Sequence, residues 1–506
     1  MSSGQQQPDI GFPTRFFYGF GSIAFGVKDV AFRSYLLLFY NQVVGISAGI
    51  VSAAIMAALV IDAIIDPLVG QFSDNLRTKL GRRHPMMYAA SLPAAFSFLL
   101  LWSPPDGLSD GAMFLYILAT ASLMRISITF YEIPSSALGP ELSDKYDERT
   151  KIASYRYFFG YLGGLGMSFA ALYVFLRPTA EYPIGQLNPA GYATFAVVGA
   201  IVILASILIS TFGTQHRVKY LRRLPPAERK SLGESFNEMR ETFSHKGFLA
   251  ILAFGVLKYT AIGSSAALAL YFGTFFWGFS SRELAILTLE GIAGAFLSMF
   301  VAPIMSRWMG KRNAAFVLAV VGVIFAVLPF ALRFLGLFYA NGDPALLPAI
   351  FITQGIYATC GIASAVLVAA MIGDVVDDSA LRTGRRSEGL FFAANSFMQQ
   401  CVTGLGILVA GVLLSIVRFP EGARPGEVDP GIIERLAWLY IPAIAGLYIV
   451  GASFLYFYRI DRAAHDANIQ RIRERESGAP TLGDVLREEE VGGAPITSPD
   501  PAPSKP

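Results

Sequence analysis

The chain has 506 residues, of which 54% are hydrophobic before glycine is counted and 15% are charged, well under the roughly 25% charge of an ordinary soluble domain. That balance excludes a soluble enzyme and a disordered chain, and makes the lipid bilayer the expected solvent. Forty basic against 37 acidic residues give a net charge of +3, too even for a nucleic-acid partner, so where the charge lies matters more than its sum.

A crossing needs about 20 apolar residues. Twelve stretches qualify: 16–41, 48–73, 85–104, 111–136, 152–176, 191–213, 247–276, 283–306, 313–336, 345–373, 388–417 and 435–458; the runs 85–105, 313–332, 344–373, 389–417 and 436–457 hold no charge at all. Before the first, MSSGQQQPDIGFPT has neither a basic nor an apolar region, so no cleaved signal peptide is expected. Lys and Arg sort by loop parity. Arg77, Lys79, Arg82 and Arg83 follow the second span, Lys145, Arg149 and Lys151 the fourth, Arg307, Lys311 and Arg312 the eighth, and Arg382, Arg385 and Arg386 the tenth. The loops at 42–47 and 105–110 hold none, while the loop before the last span, with Arg418, Arg424 and Arg435, is an exception. Both termini are therefore expected in the cytoplasm, and short loops suit a bacterial inner membrane.

The spans fall six and six about a charged segment. The expected organisation is an all-α membrane protein with a six-helix bundle over 1–213, a cytoplasmic middle loop over 214–246, a second bundle over 247–458 and a mostly disordered cytoplasmic tail over 459–506. Within the loop, Leu232, Phe236, Met239 and Phe243 are spaced for one face of a surface helix. A short helix is possible near 462–476. DPLVGQFSDNLRTKLGRRHPMM, between spans two and three, has a shortened echo in APIMSRWMGKRNAAF, between spans eight and nine, as two related bundles would give.

An ionisable side chain at membrane depth costs at least about 2.5–3.5 kcal/mol, so each one needs a reason. Asp62 and Asp66 stand four apart on one helical face, and Pro67 frees a backbone carbonyl beside them. Such a pair suits a small hard cation, or a proton that relieves the like-charge repulsion; a salt bridge to a nearby Lys or Arg is the plainer alternative. Lys28 and Asp29 lie mid-way along span one, with Arg33 one turn on. Arg125, Thr129 and Glu132 share a face of span four, Arg156 opens span five, and Lys258 lies well inside span seven. An internal charge network is the competing reading, and for Arg125 and Arg33 the favoured one. Cys360 and Cys401 fall in apolar runs and read as small buried residues. No Walker, HExxH or GxSxG motif supports pumping by ATP or hydrolysis, and the expectation is no enzyme and no cofactor.

The segments YGFGSIAFGVKDVAFRSYLLLFYNQVVG, DAIIDPLVGQFSDNLRTKLGRRHP, YEIPSSALGPELSDKYDERTKIASYRYFFGYLGG and GDVVDDSALRTGRRSEGLFFAANSFMQQ resemble the glycoside-pentoside-hexuronide:cation symporter family, to which melibiose permease belongs, within the major facilitator superfamily. The resemblance implies a twelve-helix facilitator fold. It implies a coupling cation, Na+ or H+, at Asp62 and Asp66 with Thr129 nearby, and substrate contacts at Asp29, Glu132 and Arg156, near Lys28. It departs at Ile65, where many members have Asn, and at Ser136, where melibiose-type members have Trp; Tyr18, Tyr131 and Tyr157 are the aromatic candidates to replace that ring. Lys258 is a further candidate substrate contact. The loop signature around Gly70, Asp74, Gly81, Arg82 and Arg83, and the loop holding Asp377 and Arg382, point to gating, with Arg382 matching a family Lys. Arg382 admits a cation-linked reading and a salt-bridge latch equally.

The expected function is symport of a sugar, glycoside or related small solute by alternating access. A lipid, steroid or other amphipathic solute is the alternative, favoured by 40 Phe and the missing Trp. A non-transporting receptor or scaffold is the rival from another class.

Overall fold

The computed structural model describes residues 10–143, 146–220, 246–383, 388–423 and 428–458, with Ala467, Gln470 and Arg471. Those residues form helices joined by turns, with no strand among them. The surface helix expected at Leu232, Phe236, Met239 and Phe243 lies outside the described residues, as does nearly all of the short helix expected near 462–476.

The first span is assembled from pieces. Phe12–Phe20 and Ser22–Val30 join at Gly21, and the chain then widens into π turns at Ala31–Tyr35 and Phe39–Val43 around a single turn at Leu36–Leu38. Five more long helices complete the first half: Ala48–Asn75, His84–Leu101, Asp110–Leu142, Tyr146–Ala170 and Pro189–Gln215. The second half holds Lys246–Tyr271, a short helix Ser281–Leu287, then Leu289–Phe334, Leu346–Thr383, Glu388–Ile416 and Pro430–Phe454. Local chemistry sets several starts. Asn188 and Asp429 cap helices that begin with Pro189 and Pro430, and Ser280 with Glu283 forms a reciprocal cap.

Among the described residues nine helical segments are long and apolar enough to cross a membrane. The longest, Ser281–Phe334, covers the eighth and ninth expected spans in one run. They are two helices meeting at a kink in the basic turn, at Gly310, whose φ of 79° and ψ of 158° are a conformation that L side chains avoid.

In the first half, span one packs on span five, span two on span four, and span three on spans four and six; in the second, span seven packs on spans eleven and twelve. Small residues allow backbones to meet. A Cβ on Gly26 would lie 2.1 Å from the carbonyl oxygen of Gly160, where spans one and five cross. Between the halves, a Cβ on Gly411 would lie 2.0 Å from Ser52 Oγ, so spans eleven and two also touch closely. Aromatic side chains fill each bundle at the end away from the basic loops, with Trp102 stacked on Tyr192 in one and Phe272 edge-on to Phe330 and Tyr440 in the other.

That same end is stitched across the halves. Gln42 donates to Pro420 O at 3.0 Å and accepts from Ala423 N at 3.0 Å; Tyr271 donates to Asn41 Oδ1 at 2.8 Å. Beside them Gln186 bonds Thr274 at 3.1 Å and accepts from Ser281 at 2.6 Å.

Candidate functional site

Three of the expected groups meet between spans two and four. Thr129 Oγ1 lies 3.1 Å from Asp62 Oδ1 and 2.9 Å from Asp66 Oδ1, bridging the carboxylates that helical spacing stacks on one face. A hydroxyl has one proton and therefore donates to only one of them at a time. Arg125, one turn before Thr129, places Nη2 2.5 Å and Nε 2.8 Å from Asp62 Oδ2. Both partners are buried, and the guanidinium rests over the ring of Phe32. Asp62 is thus neutralised inside the protein, while Asp66, half-buried, shares the threonine.

One helix turn along, Lys28 on span one lies 3.0 Å from Asp29 and 3.6 Å from Glu132. The Asp29 and Glu132 side chains are 54% and 31% exposed. Carboxylates exposed at mid-span cannot face lipid at tolerable cost, so they border water-filled space inside the bundle, and the hydrogen bonds across the halves lie at the end away from the basic loops. Arg156 stands over Phe25 at 4.7 Å and donates to Ser135 at 3.3 Å. Tyr157 is 70% exposed.

Other expected residues lie elsewhere. Tyr131 is fully buried, its hydroxyl filling the space above Gly21, where a Cβ would come within 1.6 Å; it packs the bundle and offers no ring to the cavity. Tyr18 is buried as well. Lys258 is buried in the other half, donating to Gly361 O at 3.1 Å with the rings of Phe254 and Tyr259 nearby. Arg33 is exposed beside the cluster.

The basic turn after span two is an ion-pair knot. Arg83 contacts Asp74 at 2.5 Å and Glu141 at 2.9 Å, and Arg82 reaches Glu141 at 2.8 Å. Asp377 is half-buried near the end of span ten, while the side chain of Arg382 lies outside the described residues. In the second half Lys311 bonds Asp374, which also accepts from Tyr458 at 3.1 Å.

Sequence reasoning missed Glu141 and Glu290. The first closes the knot on Arg82 and Arg83. The second stands in span eight with Oε2 buried and without a hydrogen-bond partner among the described residues. Its signal was plain enough, an acid inside an apolar stretch.

Residues 17–462 match the family described as MFS/sugar transport protein. The chain belongs to that family. Among its relatives is an isoprimeverose transporter of Lactiplantibacillus pentosus, 24% identical over 88% of this chain and 88% of the relative. Another is a sodium-dependent lysophosphatidylcholine symporter of Gallus gallus, 23% identical over 91% of this chain and 90% of the relative. In fold, the inward-open xylose transporter from E. coli superposes with a TM-score of 0.58 at 12% identity, covering 88% of this chain and 96% of that one. The protein is an integral membrane transporter of the major facilitator fold, with two six-helix bundles, and not an enzyme.

Proposed function

We propose that this family member couples a cation, Na+ or H+, to the movement of a glycoside or related polar solute. The observation that carries the reading is Thr129 bridging Asp62 and Asp66 one turn from the exposed carboxylates Asp29 and Glu132. The first group is an oxygen-rich cation site. The second, with Lys28 and Arg156, offers acceptors and donors to sugar hydroxyls, while Tyr157 supplies the exposed ring that Tyr131 does not. Cation and solute each raise the other's affinity by the same factor, as linkage requires. Rocking of the two bundles then alternates access to the shared cavity. The parity of the basic loops supports a cytoplasmic position for both termini, and the proposed membrane is a bacterial inner membrane.

An amphipathic solute is the second reading, supported by the lysophosphatidylcholine symporter among the relatives and by Phe158 and Tyr161, exposed beside Tyr157. Uptake of labelled glycosides into proteoliposomes separates the two. Accumulation above empty vesicles, dependent on a cation gradient and lost in Asp66→Asn, is the result expected; uptake equal to empty vesicles rejects the sugar. A receptor or scaffold, by contrast, keeps its role when Asp29, Asp62, Asp66 and Glu132 are all neutralised.

A further inference from the structure

The two oxygens of Asp62 face different partners. Oδ2 takes both contacts from Arg125, at 2.5 and 2.8 Å, while Oδ1 turns to Thr129 at 3.1 Å. The cation that the proposed function calls for would meet Asp62 Oδ1, Asp66 Oδ1 and Thr129 Oγ1, without touching the oxygen that Arg125 holds. Its electrostatic surroundings are nevertheless set by Arg125, because a buried guanidinium remains charged at any accessible pH. A pair of carboxylates carries two negative charges; with Arg125 attached the group carries one.

We infer that Arg125 is a resident counter-charge of the cation site, which fixes it at one net negative charge and lowers its affinity for the coupling ion. The inference rests on the cation reading of the site and adds a division of labour within it. Asp66 supplies the charge that the ion neutralises, and Asp62 supplies an oxygen whose charge is already spent on Arg125. A single monovalent cation then brings the site to neutrality, the state in which a buried group crosses the membrane at least cost. Phe32 beneath the guanidinium keeps it in place when the ion leaves. Ile65 is consistent with this arrangement: a site of lowered charge holds its ion loosely without needing a further polar side chain at that position.

Charge arithmetic separates this from a direct-ligand role for both acids. Asp62→Asn leaves Arg125 unneutralised beside Asp66, so the pair closes on itself and ion binding is lost. Asp62→Asn with Arg125→Gln removes one charge of each sign, restores one net negative charge, keeps an oxygen at position 62 and recovers ion binding. Arg125→Gln alone leaves two negative charges and tightens binding by on the order of tenfold to a hundredfold, from one unit charge several ångströms away at an effective dielectric near 20.

The experiment is thermal unfolding of the purified full chain titrated with NaCl against choline chloride, and separately with pH in the absence of sodium, for wild type, Asp66→Asn, Asp62→Asn, Arg125→Gln and the double variant. Expected are a wild-type ion response that disappears in Asp66→Asn and in Asp62→Asn, returns in the double variant and shifts to lower concentration in Arg125→Gln. A wild-type response with the double variant as unresponsive as Asp62→Asn overturns the inference and leaves the cation reading standing, with Asp62 as an obligatory charged ligand. A wild type that responds to neither ion defeats the cation reading and this inference together. Arg125→Gln strands a buried carboxylate and can fail to fold; the double variant, which strands none, keeps the test decisive.

Discussion

Lys311 donates to both carboxylate oxygens of Asp374, at 2.6 and 2.8 Å, and thereby repeats in the second half the contact that Arg83 makes with Glu141 in the first. In each half a base in the turn after the second helix of the bundle grips an acid in the inner part of the fourth. The grips bind neighbours within one bundle and so stiffen each bundle as a body that rocks.

If the grips serve the movement, Glu141→Gln and Asp374→Asn slow uptake several-fold and leave the half-saturating solute concentration nearly unchanged. Initial rates in proteoliposomes against solute concentration check this. A raised half-saturation with unchanged maximal rate would instead assign these acids to binding.

Arg156 sits over Phe25 and beside Ser135 at the cavity wall. Arg156→Lys keeps the charge but loses the planar fork that directs two hydrogen bonds, so solute affinity falls by about tenfold, the equivalent of about 1.4 kcal/mol. Cation-induced stabilisation, read by thermal unfolding without solute, stays as in wild type.

The crossing of spans one and five leaves no room for a methyl group. Gly26→Ala pushes a Cβ into the Gly160 carbonyl, a backbone-on-backbone clash that costs about 1–3 kcal/mol as overpacking does. Gly166→Ala, on the same span five but with open space around its Cβ position, leaves the melting temperature unchanged. Equal losses in the two would remove the crossing as the cause.

Glu148, outside the membrane, accepts from Lys151 at 3.0 Å and from Arg15 Nε at 2.9 Å, and these partners hold its carboxyl below the usual glutamate range. Its folded pKa is lower than its unfolded one, so its contribution is present above the unfolded value of about 4.3 and is lost as pH falls through the folded value. The melting-temperature gap between wild type and Glu148→Gln should therefore be open at neutral pH and close under acid. A gap that persisted under acid would show that shape, not charge, is what the substitution disturbs.

Much of the fold was legible because a bilayer punishes polar groups so heavily that apolar length alone marks the crossings, and loop bases mark one side. Charges inside those crossings stood out for the same reason, which is how Asp62, Asp66 and Lys28 were found. Their partners were legible only by type: Thr129 was expected nearby and an internal network was the favoured reading of Arg125, but which acid each one meets was not legible. Whether Arg125 turns toward Asp62 depends on the rotation and tilt of two helices, and neither is written in local spacing. Tyr131 shows the converse error: resemblance named an aromatic position, but the missing side chain at Gly21 draws that ring into the bundle. The break between spans eight and nine was legible in its bases and glycine, and it is made by a single residue, Gly310, in an unusual conformation.

The seal at the end away from the basic loops is made by Asn41, Gln42, Tyr271, Gln186, Thr274 and Ser281, none of them ionised at physiological pH. Neutral hydrogen bonds contribute about 0.5–1.5 kcal/mol each, so a few of them make a closure that binding of a solute and an ion can offset. A transmembrane voltage acts on charge, at about 2.3 kcal/mol per elementary charge per 100 mV, and finds none in this seal. Parting these hydrogen bonds therefore moves no formal charge of the residues that make them.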